Sequence, residues 1–139
     1  MATVYGTVYG KVRSSTEKQC PSPPSGAASK IIAEYLAAAL ATASTINMLT
    51  VPAGCSYRVK ELNHGALGAG TSVTGGRAGA TAEQLASVPT DAAGVIPAND
   101  GFWRYVSADE DVLLTTVGTM TGRIQLEVEF VRGNVATNQ

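Results

Sequence analysis

The clearest periodicity runs late in the chain, where Ile124, Leu126, Val128 and Phe130 alternate with Arg123, Gln125, Glu127 and Glu129. Alternation of this kind sets one row of side chains on each face, so the segment "GRIQLEVEFV" predicts a strand with one buried and one wet face. Gly118 and Gly122 bracket "TMT" just before it, and "DVLLTTVG" precedes them. That order predicts a closing hairpin with a short loop. Earlier, "TINMLTV" is followed by the turn residues "PAG" and then by "CSYRVKEL", in which Cys55, Tyr57 and Val59 alternate with Ser56, Arg58 and Lys60. Both segments read as strands.

The chain opens on a phrase stated twice, Thr3-Val4-Tyr5-Gly6 and Thr7-Val8-Tyr9-Gly10. At period two, Val4, Gly6, Val8, Gly10 and Val12 share one face, while Tyr5, Thr7, Tyr9, Lys11 and Arg13 share the other. Val, Tyr and Thr favour strands, and glycines weaken one unless another backbone packs closely on them. The valine face therefore predicts contact with a second backbone layer. The tyrosine face is either that of an ordinary edge strand or one free to meet a partner. "SSTEKQCPSPPSG" follows, with Pro21, Pro23 and Pro24 close together, and reads as an extended arm that cannot join a ladder.

Residues 29–41 place Ile31, Ile32, Tyr35, Leu36, Ala39 and Leu40 at spacings that fit one face of a short helix, with Ser29 where a cap belongs. The same pattern also suits an irregular arm coating a neighbouring subunit. "HGALGAGTSVTGGRAGA" reads as loops around a short strand at "TSV", and "AEQLA" as a helical turn. "GFWRYV" starts a second block of strands. Many short strands with turn signals between them predict an all-β sandwich or jelly roll with at most one short helix. The expected organisation is an N-terminal strand and arm over residues 1–28 and a β-sandwich over 29–139, together one structural domain.

Composition sharpens this picture. Of 139 residues, 45% are hydrophobic but only 6% aromatic, and much of the apolar content is alanine. Such a core is thin and gains from further burial against copies of itself or a partner. Charged residues make up 15%, against about a quarter in ordinary domains. A sparsely charged surface suits one partly covered by neighbours. The net charge of −1 leaves no broad basic face for phosphates, so nucleic acid is not an expected partner. The apolar stretch "IIAEYLAAALATA" carries Glu34 and is too short for a membrane span. No charged leader followed by an apolar block is present, so synthesis in a cytoplasm is expected.

No constellation for chemistry emerges. Gly70 and Gly75 have the separation of a phosphate loop, but no lysine and hydroxyl follow; Val73 breaks a dinucleotide fingerprint begun by Gly68 and Gly70. His64 is the single histidine, and "GCSYR" lacks the nucleophile elbow of a hydrolase. Cys20 and Cys55 define neither a disulfide framework nor a zinc site, and Cys55 reads as a buried small hydrophobe. Asp109, Glu110 and Asp111 are adjacent, whereas calcium loops use alternate residues, so a solvated turn is expected. Trp103 and Tyr105 share a strand face opposite Phe102, and core or interface packing is expected ahead of a sugar platform. No catalytic residue, metal, cofactor or small-molecule substrate is implied.

The order of these pieces, "VYGTVYGKVR", a polar arm, "INMLTVPAG", "YRVKELNHGALGAGTSVTGG" and "DVLLTTVGTMTGRIQLEVEFV", resembles the head decoration (cement) proteins of tailed bacteriophages. Residues 14–44 carry the resemblance least. It implies a non-enzymatic virion protein on the outer capsid surface, often a homotrimer, clamping neighbouring major capsid subunits. In that setting the opening repeat becomes an intersubunit strand added to a neighbour's sheet, with Tyr5 and Tyr9 as rigid contact area and Lys11 and Arg13 approaching acidic capsid surface. The interface residues so implied are Val4, Tyr5, Val8, Tyr9, Lys11, Arg13, Ile32, Tyr35 and Leu36. Rival settings are a phage tail or head-fibre subunit and a carbohydrate-binding β-sandwich module.

Overall fold

In the computed structural model, residues 2–6, 29–98 and 103–132 are described. They form ten strands: β1 (Thr3–Tyr5), β2 (Ser29–Leu40), β3 (Thr45–Val51), β4 (Cys55–His64), β5 (Ser72–Arg77), β6 (Ala80–Pro89), β7 (Gly94–Pro97), β8 (Arg104–Tyr105), β9 (Glu110–Val117) and β10 (Met120–Arg132). One sheet has the order β1-β3-β9-β5-β6, the other β2-β10-β4-β7, with β8 also paired to β4. From β2 onward the pairings nest: β2 with β10, β3 with β9, β4 with β7 and β5 with β6, all antiparallel. A long hairpin rolled on itself gives this order, which is the jelly roll. The fold is all-β.

The core lies between the sheets. Ile124, Leu126, Val128 and Phe130 are all buried, as β10's alternation requires, and they meet Tyr57, Val59 and Leu62 of β4 and Ile46, Met48 and Leu114 across the sandwich. Cys55 is buried. Small residues line part of the same space. A Cβ on Gly75 would lie 2.8 Å from Leu85 Cδ1, so Leu85 occupies the volume a side chain there would need.

Several local expectations change. Residues 29–40 form a strand rather than a helix, and no helix occurs among the described residues. Ile31, Ala33, Tyr35 and Ala37 turn toward the core while Ile32, Glu34 and Leu36 turn outward. Apolar residues on both faces hide the period of two, and alanine's helix preference is a weak prior. The long row of backbone groups on β10 overrides it, pairing Ser29 to Ala37 with Phe130 to Gly122. "AEQLA" lies within β6, and the glycine pair Gly75-Gly76 lies within β5, so both the helical turn and the loop reading fail there.

The closing hairpin also fails. β9 pairs with β3 and β5 in one sheet, and β10 pairs with β2 and β4 in the other, so residues 118–119 turn a corner between sheets. Gly118 permits the corner. Its φ is +85°, and a Cβ there would come within 3.0 Å of the Gly70 carbonyl oxygen. Its N–H is satisfied by Thr42 Oγ1 at 2.9 Å.

β1 joins β3 in parallel, Thr3 to Thr45 and Tyr5 to Asn47. The first copy of the opening repeat therefore extends its own chain's sheet; the second copy, with Val8, Tyr9, Lys11 and Arg13, lies outside the described residues. Gly6 is buried, and a Cβ on it would meet Met48 O at 3.0 Å and Glu34 O at 3.3 Å. Of the valine face, Val4 and Gly6 do lie on another backbone layer, and glycine is what lets the layers approach there.

Candidate docking surfaces

Of the implied interface residues, the five that are described, Val4, Tyr5, Ile32, Tyr35 and Leu36, lie on β1 and β2, where the exit from β1 passes β2. Tyr5 is 55% exposed, Ile32 49% and Leu36 64%. Val4 and Tyr35 lie on the same strands but turn inward, half-buried against the core. β2 is a twelve-residue edge whose single strand neighbour among the described residues is β10. Edge strands with exposed apolar side chains are prone to recruit other chains, and proteins usually blunt them. Here the blunting is local: Ala39, at φ 52°, bulges and donates its N–H to Thr121 Oγ1 at 2.9 Å.

The outer face of β2, β10 and β4 is charged and satisfies itself. Arg58 Nε donates to Glu129 at 2.7 Å, Lys30 Nζ lies 3.7 Å from Glu127, and Arg123 Nε lies 3.7 Å from Glu34. Gln125 Nε2 adds a hydrogen bond to the same Glu34 carboxylate at 3.0 Å. Arg58 also stacks on Trp103, its Cζ 4.7 Å from the ring centroid. That cation–π contact uses one face of the indole and accounts for the tryptophan's partial burial. Phe102 lies outside the described residues.

At one end of the sandwich a polar tie crosses between the sheets. Arg104 of β8 grips Glu110 of β9 with two hydrogen bonds, Nε to Oε2 at 2.7 Å and Nη2 to Oε1 at 2.8 Å. Tyr57 of β4, fully buried, donates its hydroxyl to the same carboxylate at 2.8 Å. Asp109 accepts from the Ala53 N–H at 2.9 Å, and Asp111 from Thr50 Oγ1 at 2.6 Å. The acidic run is thus a set of ties at the start of β9 rather than a solvated turn. Burial by itself would raise the Glu110 carboxyl; the hydrogen bonds from Arg104 and Tyr57, aided by the Arg104 charge, hold it below the ordinary carboxylate range. Burial first, and then the Glu110 charge, push the Tyr57 phenol far above its usual value.

A depressed carboxyl stabilises the folded state at pH values above its unfolded value, and that contribution is lost as pH falls through the lower folded value. Glu110→Gln is therefore expected to lower the unfolding free energy by about 2 kcal/mol at neutral pH, since a charge-assisted pair is lost and Arg104 is left without its counterion. Urea midpoints of variant and wild type should converge as pH drops below about 4. A gap that stays constant down to that acidity would show that the carboxylate contributes no such tie.

No family model matches the chain, and no curated protein matches it. Among solved structures, a chain in the capsid of Ralstonia phage GP4 superposes with a TM-score of 0.73 over 95% of this chain and 99% of that one, at 16% identity. This chain shares its fold with chains of phage capsids. A chain of the acidic stable capsid of Helicobacter pylori bacteriophage KHP30 gives 0.59 at 14% identity, covering 79% of this chain and 91% of that one. A chain of the cyanophage Pam1 capsid asymmetric unit gives 0.55 at 15% identity, covering 86% and 96%. At such identities the likeness is one of backbone path.

Proposed function

We propose that the chain is a non-enzymatic structural protein of a bacteriophage virion, a decoration (cement) protein that binds the outside of the capsid and bridges major capsid subunits. The observation that carries this reading is the near end-to-end likeness to a chain in a phage capsid, which spans 95% of this chain and 99% of that one. The match runs nearly end to end on both chains, so the likeness takes in the whole fold and not one borrowed motif.

The physics suits the role. A protein that binds an assembled shell, and not its separated subunits, stabilises the shell by its binding free energy at each site. Many copies on one lattice turn modest contacts into high avidity. Contacts between copies, with a homotrimer as the expected assembly, are assigned to the β2 edge, where Ile32 and Leu36 are exposed. The protein is made in the host cytoplasm and acts on the virion surface.

The test is to mix purified protein with expanded shells that lack it, sediment the shells and image them. Regular density on the outer surface and a higher shell melting temperature are expected. Density confined to tails or fibres would move the protein to those structures, and an absence of retention on any virion part would overturn the reading.

A further inference from the structure

The two outer faces of the sandwich differ in chemistry. The face of β2, β10 and β4 carries the ion pairs described above. The opposite face, on β1, β3, β9 and β5, carries a ladder of four threonines in register: Thr3 opposite Thr45, Thr45 opposite Thr115, Thr115 opposite Thr74. On one side of the ladder the next row is Tyr5, Asn47 and Leu113. On the other side Val117 stands opposite Ser72. No residue in these three rows is charged. Tyr5 and Val117, at opposite corners, are 55% and 53% exposed.

A solvated sheet face ordinarily carries Lys, Glu and Arg, as the other face of this molecule does. Threonine hydroxyls both donate and accept, and their methyls supply apolar contact. The β-branched side chain is stiff at χ1, so little freedom is lost when it is covered. Covering these three rows strips no ion of its water, the charged Arg77 and Asp111 lying at the rim beyond Leu113. Covering the opposite face would instead desolvate several pairs at a cost that their mutual attraction seldom returns. The ladder face is therefore the one suited to burial.

Its size indicates what covers it. Four strands about 4.8 Å apart and three rows spaced by two residues make a flat patch of about 400 Å². A stable pairwise interface needs about 800 Å² from each partner. A dimer of two copies through this face alone would be weak, but the same contact repeated over a shell would hold by avidity. We propose that the outer face of β1, β3, β9 and β5, centred on the Thr3–Thr45–Thr115–Thr74 ladder, docks onto an uncharged patch of the major capsid subunit. This rests on the decoration reading above and assigns that role a surface distinct from the β2 edge.

The experiment uses the full-length protein and expanded shells lacking it. Wild type is expected to bind with affinity changing less than about twofold between about 0.05 and 0.5 M NaCl, because no ion pair crosses the contact. Thr45→Lys with Thr115→Lys should weaken shell binding by at least about tenfold, since each lysine must be stripped of water against an uncharged surface. Glu61→Lys, on the charged face, should stay within about twofold of wild type. Circular dichroism and melting verify folding, and Thr74→Lys alone gives the same readout if the double variant does not fold. Lysine variants that bind as wild type does, or binding by wild type that collapses with salt, would overturn the proposal while leaving the decoration role standing. So would lysine variants that change the protein's own oligomeric state while still binding shells, for the face would then join copies. Wild type that binds no shell overturns the decoration role itself.

Discussion

Phe130→Ala is expected to lower the unfolding free energy by about 3–5 kcal/mol, out of a total of about 5–15 kcal/mol for a domain of this kind. Phe130 is fully buried toward one end of the sandwich, on β10 between β2 and β4, directly opposite Tyr57. These two are the aromatic side chains among the largest fully buried ones; the others are Ile, Leu and Met. Its inward neighbours Val128, two residues before it on β10, and Tyr57, opposite it on β4, are themselves fully buried, so neither is free to swing into the space a missing ring leaves. A cavity that cannot collapse costs its full lining of lost contacts. Urea unfolding with an unchanged slope would report the loss as a lower midpoint. Phe130→Leu should cost about 1–2 kcal/mol, because most of the volume stays. A loss below about 1 kcal/mol for the alanine variant would mean that the core closes up and is not thin in the way described.

The second large effect belongs to a glycine. Gly76 lies in β5, and a Cβ there would run into the Ala80 carbonyl oxygen, with Thr81 C at 3.0 Å and Glu83 N at 3.1 Å. All three obstacles are backbone atoms of β6, which cannot rotate aside as a side chain would. Gly76→Val must push the β5–β6 hairpin off its sheet and is expected to cost at least about 3 kcal/mol. Gly65 provides the contrast. It has no atom within 4 Å of its would-be Cβ and no positive φ, so Gly65→Ala should be neutral or stabilising by up to about 1 kcal/mol. Melting both variants beside wild type tests the pair. Equal small effects would show that the hairpin yields easily and that Gly76 is not required for close approach.

The two glycines look alike in the sequence, which marks the limit of local reading. Where one face is wholly apolar and the other wholly polar, as in β10, the alternation itself names the strand, its buried side chains and its wet side. β4 is legible for the same reason, and so is Cys55 as a buried small residue. β3 is legible instead from its apolar run and the turn after it, its last four residues being buried on both sides of a register shift. β2 was not legible, because Ile32 and Leu36 face outward while Ile31 and Tyr35 face inward, and apolar residues on both sides mimic a helical stripe. β6 was obscured by alanines that favour a helix only when nothing competes. The implied interface residues Tyr5, Ile32 and Leu36 do reach the surface, whereas Val4 and Tyr35 pack inward.

What the residues alone determined is the in-and-out pattern of individual strands, and with it the all-β class. Which strand lies beside which was decided only in three dimensions. Gly118 and Thr119 look like the loop of a hairpin, yet β9 and β10 part there into different sheets, because β3 and β5 claim one and β2 and β4 the other. The threonine ladder follows the same rule. Its members at positions 3, 45, 74 and 115 stand in four unremarkable segments, and only register brings them into one row. Side-chain direction is a local property of the backbone, whereas neighbours and register come from hydrogen bonds between segments dozens of residues apart, selected by the whole core at once.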